Sequence, residues 1–256
     1  MFCIRGRQIL NVSTADAGEL VPDTAAVAGH RGPELRLSGH AAWRAVPTQT
    51  GTLWLKGHIR AQCAALDNLE NVLQAGASAE RIEQWLKSLH GHFALIFEGW
   101  VADRKIVFAA VDQVRSVPVF FAVGAHGLVV SDHAPRLVNE LALGTVNETA
   151  ALSLAMAGYT IGTDTLHEQL HQLGPGQWLH AAGYTYERHR YATWSPWRAN
   201  RAATVADQQM AADVTLAMLE TLVSAASGRP IAIALSAGLD SRVVASGLSH
   251  IGARNV

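Results

Sequence analysis

Arg229-Pro230-Ile231-Ala232-Ile233-Ala234-Leu235-Ser236-Ala237-Gly238-Leu239-Asp240-Ser241-Arg242 is the stretch on which the reading of this chain turns. Residues 231–235 are an apolar run that predicts a buried strand. Small residues follow as a tight loop, and Val243, Val244, Ala245 and Leu248 mark a helix after it. Strand, tight loop and helix start together suit a phosphate: the loop's N–H groups point inward and the helix N-terminus adds partial positive charge. The hydroxyls of Ser236 and Ser241 can donate to phosphate oxygens. Asp240 would repel a phosphate directly, so its natural role is to hold a Mg²⁺ that bridges to it. No Gly-Lys-Ser/Thr follows and the glycine spacing is wrong for a dinucleotide fingerprint, so this is neither of those loops. A plain strand and turn with a serine helix cap is the alternative that needs no ligand.

Upstream of this stretch, residues 205–224 carry Met210, Val214, Met218 and Leu222 four apart, predicting a helix with one apolar face. Tyr191-Ala192-Thr193-Trp194-Ser195-Pro196-Trp197-Arg198 breaks the pattern and places a domain boundary near residue 200. Earlier still, residues 52–59, 93–98, 105–112, 117–122 and 128–131 read as strands. Residues 93–98 and 105–112 form a predicted hairpin, and 117–122 with 128–131 form another. These hairpins need a second layer to cover their apolar faces. Residues 79–88 and 148–156 have helical periodicity.

Composition narrows the class. The chain has 256 residues, of which 49% are hydrophobic and 16% charged, ample for a buried core. A formal net charge of −1 carries no electrostatic footprint for nucleic acid or an anionic membrane. Cys3 and Cys63 stand in no metal or disulfide spacing. The N-terminus lacks the apolar core of a signal peptide, and no apolar run approaches the roughly 20 residues that span a bilayer. The expectation is a soluble, cytoplasmic protein with no nucleic-acid or membrane partner.

The hexapeptide Ser-Ala-Gly-Leu-Asp-Ser at 236–241 resembles the Ser-Gly-Gly-x-Asp-Ser pyrophosphate loop of the ATP pyrophosphatase superfamily. Ala237 replaces a glycine, at a cost of about 1 kcal/mol if that position needs φ > 0. Gly91-His92-Phe93-Ala94-Leu95-Ile96-Phe97, the segment from Asp112 through Pro118 to Phe121, Val130-Ser131-Asp132, and the turn running from Gly162 through Leu173-Gly174-Pro175-Gly176 to Leu179 add to it in order. Together they resemble the asparagine synthetase family of class II glutamine amidotransferases nearly end to end. The resemblance implies an α+β four-layer αββα sandwich of the N-terminal-nucleophile type over residues 1–198. It implies the opening strand, loop and helix of an α/β parallel-sheet synthetase domain over 204–256. It further implies ATP-dependent amide-bond formation through an acyl-adenylate with release of pyrophosphate, as in asparagine biosynthesis. ATP would rest on Leu235, Ser236, Ala237, Gly238, Leu239, Asp240 and Ser241, with Mg²⁺ held by Asp240 through the phosphates. The partners would be a small-molecule or peptide carboxylate and an amine, and a homodimer is admitted.

The resemblance also implies a cysteine nucleophile directly after the initiator Met, whose freed α-amine acts as base. Here Phe2 intervenes, and a large residue at position 2 blocks Met removal. Cys3 behind a peptide bond has no free amine, so it is not expected to act as nucleophile and no glutaminase residue is intact. Lys56-Gly57-His58 stands where the family has Asn-Gly-Glu, and lysine cannot present the amide donor of an oxyanion hole. β-Lactam synthetases and lasso-peptide cyclases, relatives that lost this site, close an amide with an amine of the substrate itself and are the alternative.

Two readings come from other classes. His167-Glu168-Gln169-Leu170-His171 matches His-Glu-x-x-His, which on a helix binds Zn²⁺ with the glutamate as general base of a metalloprotease. His180, Glu187 and His189 are the nearby candidates for a third ligand, although Gly174-Pro175-Gly176 leaves room for only a short helix. A non-catalytic binding module, or a truncated fragment, is the other. His90 and His92 read as surface residues flanking Gly91.

Overall fold

A computed structural model describes residues 32–38, 43–59, 69–73, 78–182, 185–194 and 202–256. They fall into two compact units, one ending at Trp194 and the other starting at Ser195. In the first, strands β1 (Glu34–Arg36), β2 (Arg44–Pro47), β3 (Gly51–Ile59), β4 (Gly91–Val101), β5 (Arg104–Val111), β6 (Phe120–Gly124), β7 (Gly127–Ser131), β8 (Leu170–Gln172), β9 (Gln177–Ala182) and β10 (Thr185–Arg190) follow in chain order. Helices α1 (Leu69–Leu73), α2 (Ala79–Ser88), α3 (Ala134–Glu140) and α4 (Glu148–Ala157) are interspersed. Among the described residues one sheet runs β1-β7-β6-β8 and the other β10-β9-β5-β4-β3-β2. The β1–β7 pair is parallel and the remaining pairs are antiparallel, so the fold is α+β with a mixed sheet.

The β4–β5 hairpin forms the centre. Its turn is Ala102-Asp103, with φ of 48° and 59°, the left-handed pair that matches the twist of the strands it joins. Phe93, Ala94, Leu95, Ile96 and Phe97 are all at most 1% exposed, so both faces of β4 are covered. This is why the strand reads as a continuous apolar run and not as an alternation. The period of two then divides its residues. Phe93, Leu95 and Phe97 join a cluster with Leu69, Val72, Ile82, Trp85 and Leu86 of α1 and α2. Ala94 and Ile96 join Phe121, Leu128 and Val130 of the other sheet. A third cluster places Leu137 of α3 against Ala122, Val129 and Leu170 on that sheet's outer face. α2 begins at the cap Ser78, whose side chain accepts from the Arg81 N–H, and buries Ile82, Trp85 and Leu86 on one stripe.

In the second unit, α5 (Val205–Ala226) starts with a reciprocal capping box between Thr204 and Asp207. α6 (Leu239–His250) lies against it where Leu219 meets Gly247. Thr204→Ala should remove one side of the capping box and cost about 1 kcal/mol, read as a lower urea midpoint at unchanged slope.

One expectation, the strand at 231–235, is corrected, and two other stretches gain detail. Residues 231–235 form no strand: Leu235 N–H donates to Ile233 O across a tight turn, Ile231 N–H donates to Asn255 O, and no described strand pairs with them. An apolar run becomes a strand only when a ladder satisfies its backbone. Thus the opening of a parallel sheet is not formed among the described residues. The predicted face of α5 is exposed at Met210, Val214, Met218 and Leu222, and Leu219 is the buried residue. Residues 163–173 form turns, bridges and β8, where a helix would be needed to bring two histidines to one face.

Candidate active site

The site lies at the end of the central strands where β3 and β4 meet. Gly57 pairs with Phe93 and His58 with His92. A Cβ on Gly57 would stand 2.1 Å from the His92 carbonyl oxygen, and one on Gly91 would stand 2.2 Å from the His58 carbonyl oxygen. Only glycine allows backbones to approach so closely. The result is a directly opposed histidine pair with ring centroids 5.8 Å apart and planes at 54°. Lys56 pairs with Ala94, two positions further in, and leaves β3 on the same face as that residue.

β5 delivers the other half. Asp112 closes the strand and is 2% exposed. Its carboxylate accepts from the N–H groups of Phe93 (3.0 Å), Val114 (2.8 Å) and Ser116 (3.0 Å). Arg115 N–H donates to the Asp112 carbonyl, and Arg115 itself is left-handed at φ 58°. This turn aims the Ser116 side chain back at β4. Ser116 Oγ lies 2.8 Å from His92 Nδ1, and both residues are exposed. With the ring proton on Nε2 the hydroxyl donates and the imidazole accepts. A cleft of about 280 Å³ opens beside the pair, lined by His90, His92, Asp112, Gln113, Val114 and Tyr191 among others. Tyr191 lines it and donates its hydroxyl to the Val111 carbonyl at 2.9 Å. Burial, and next the Asp112 carboxylate, push the Tyr191 hydroxyl pKa upward, so it stays a neutral donor.

The residues chosen from sequence lie elsewhere. Cys3 falls outside the described residues. Leu235, Ser236, Ala237, Gly238, Leu239 and Asp240 are exposed, and Ser241 is half-buried in the first turn of α6. Ser241 Oγ takes the Ser236 N–H at 3.1 Å and meets Ser236 Oγ at 3.0 Å. Gly238 N–H donates to Ser236 Oγ at 3.1 Å. Ala237 is not left-handed, so alanine carries no such strain there. His171 lies on β8 with its ring 5.5 Å from Phe121, while His180, Glu187 and His189 gather on β9 and β10. The two sets sit on different elements, and among the described residues no group of three or more His, Cys, Asp or Glu is arranged to hold a metal. No described helix is long and apolar enough to cross a membrane.

His92 and Ser116 were missed because they are 24 residues apart and each reads as surface when taken alone. The signal available was the pair of glycines at 57 and 91 together with the aspartate four residues before a serine.

Comparison with known proteins bears on the functional class. No family model matches this chain. The match is to an amidase. Amidase chry2 of Gibberella zeae is 27% identical over 173 residues, covering 65% of this chain and 24% of that protein. The chain thus spans about a quarter of the length of the curated relative it matches. These findings correct the asparagine-synthetase resemblance, which no family model supports. An amidase breaks an amide with water, the opposite of building one at the expense of ATP. The ligase reading, with asparagine biosynthesis, adenylation and nucleotide binding, is therefore set aside. Its β-lactam-synthetase and lasso-cyclase variants gain no support either. The short motifs misled because small-residue loops and Pro-Gly turns recur wherever a chain turns tightly.

Proposed function

We propose that this chain belongs to an amide-hydrolysing enzyme in which Ser116 is the nucleophile and His92 its base. The observation that carries this reading is the 2.8 Å contact between Ser116 Oγ and His92 Nδ1, with His92 itself lining a cleft. The similarity to an amidase supports the reaction class. In the first step Ser116 Oγ attacks the amide carbonyl carbon while its proton passes to His92 Nδ1. The tetrahedral intermediate collapses, the C–N bond breaks, and the imidazolium returns that proton to the departing amine. Water, deprotonated by the same ring, then cleaves the acyl-serine and restores the hydroxyl. Lys56, on the face shared by His58 and His92, is a positive side chain that would favour the developing oxyanion. Amide hydrolysis needs no nucleotide, so the loop 236–241 has no step in it. In our reading the layers of helix, sheet, sheet and helix are those of a four-layer αββα sandwich of the N-terminal-nucleophile type. The three apolar clusters support that layering. The nucleophile is then an internal serine.

A fluorophosphonate probe tests the pair without knowledge of the substrate. Mass spectrometry should place the label on Ser116. Ser116→Ala should abolish labelling, and His92→Ala should slow it about 10²-fold or more, the range of one lost general base. A panel of primary amides and anilides should lose turnover in parallel. Labelling that misses Ser116, or that is indifferent to His92→Ala, would sink the reading.

A further inference from the structure

We propose that His58 and His92 chelate one divalent transition ion, such as Ni²⁺ or Zn²⁺, and that the bound ion disables the Ser116–His92 pair. The chelate stands on its own geometry; the disabling rests on the function proposed above. Imidazole nitrogens bind such ions at about 2.0–2.1 Å, so two rings sharing one ion have centroids at most roughly 6.4 Å apart. The centroids of His58 and His92 are 5.8 Å apart and tilted by 54°, inside that limit. The two residues are directly opposed in register, which fixes the separation of their side chains. Gly57 and Gly91 hold the strands close at this point, since neither position has room for a Cβ. The site is therefore framed by backbone and does not depend on two mobile side chains finding each other. Both histidines are exposed, so an ion can enter from solvent and keep water in its remaining positions. Ser116 Oγ, 2.8 Å from His92 Nδ1, is a hydroxyl oxygen in contact with the pair. The Asp112 carboxylate already takes three backbone N–H groups, which leaves imidazole as the main donor. Neutral imidazole favours zinc, copper and nickel over magnesium and calcium.

The chemical consequence follows from the two nitrogens of one ring. If the ion takes His92 Nε2, the ring proton must sit on Nδ1, which then donates to Ser116 Oγ and cannot accept its proton. If the ion takes Nδ1, Ser116 is displaced. In both cases His92 stops being a base. Binding forms one bond from each ring to the ion and releases water from the ion, with no change of oxidation state.

The full chain without a polyhistidine tag should be titrated with Ni²⁺ by calorimetry. One ion should bind per chain. His58→Ala and His58→Gln should each weaken binding at least tenfold, and Ser116→Ala should leave it nearly unchanged. Labelling of Ser116 by the fluorophosphonate probe should then fall in step with Ni²⁺ occupancy in the unaltered chain, and should resist the same Ni²⁺ concentrations in His58→Ala. No binding by the unaltered chain, or binding by the His58 variants as tight as that of the unaltered chain, overturns the chelate. Saturation with Ni²⁺ that leaves labelling unchanged overturns the disabling. A metal-free chain that never labels at Ser116 defeats the amide-cleaving reading instead, and the titration still decides the chelate.

Discussion

Asp112→Ala is expected to lower the stability of the unit ending at Trp194 by about 4 kcal/mol, a drop of roughly 10 °C in its melting temperature. The carboxylate accepts three backbone N–H groups, from Phe93, Val114 and Ser116. An unsatisfied buried donor costs about 1–3 kcal/mol, and a hydrogen bond to a charged group contributes more than one between neutral groups. Phe93 is 1% exposed, so its N–H gains no water in exchange. Val114 and Ser116 are exposed, so water recovers part of their loss, which holds the total near 4 kcal/mol and below the sum of three full penalties. Asp112→Asn keeps one acceptor oxygen and should fall about midway. Ser116 depends on the same carboxylate for its position, so both variants should also slow probe labelling. A thermal melt of Asp112→Ala within about 2 °C of the parent chain would show that the turn is held by its other bonds.

Gly57→Ala should cost at least about 3 kcal/mol and should loosen the histidine pair as well. Gly57 has φ 87°, where a Cβ costs roughly 1–2 kcal/mol in strain alone. The new methyl carbon would also lie 2.1 Å from the His92 carbonyl oxygen and 3.0 Å from its carbonyl carbon. Those are backbone atoms of a central strand, so relief requires β3 and β4 to part, with loss of ladder bonds beside the pair. The variant should melt lower and should bind Ni²⁺ more weakly even where it remains folded. Gly144→Ala is the control: nothing lies within 4 Å of a Cβ there, and its φ is not left-handed, so the change should be nearly neutral. Equal stability of the two variants would mean that the close approach at Gly57 is not a constraint.

Much of the local structure was legible from the order of residues. Residues 79–88 and 148–156 became α2 and α4, and the run predicted over 205–224 became α5. In each case the helix starts at a capping residue visible in the sequence: Ser78, Asn147 and Thr204. The two central hairpins were readable because both of their strands are apolar and lie close along the chain. The apolar run at 231–235 was misread because the run itself is only half of a strand; the ladder partner is the other half. The His-Glu-x-x-His spacing was set against a short stretch ended by Gly174-Pro175-Gly176, and it brings no ligands together, since its register matters only on a helix and β8 is extended.

The sequence by itself determined where helices begin, which strands fold back on their neighbours, and that the core is large and carries little charge. Those features depend on contacts within a turn or two of chain, where capping, periodicity and turn chemistry act directly. Only the tertiary structure decided the site. His58, His92 and Ser116 belong to β3, β4 and the turn after β5, and no local rule links them. They meet because two glycines let β3 and β4 close to contact, and because a buried carboxylate folds the Asp112 turn back onto β4. Cross-strand register and a buried hydrogen-bond hub are set by packing over the whole unit, so their consequences become visible only once the layers are assembled.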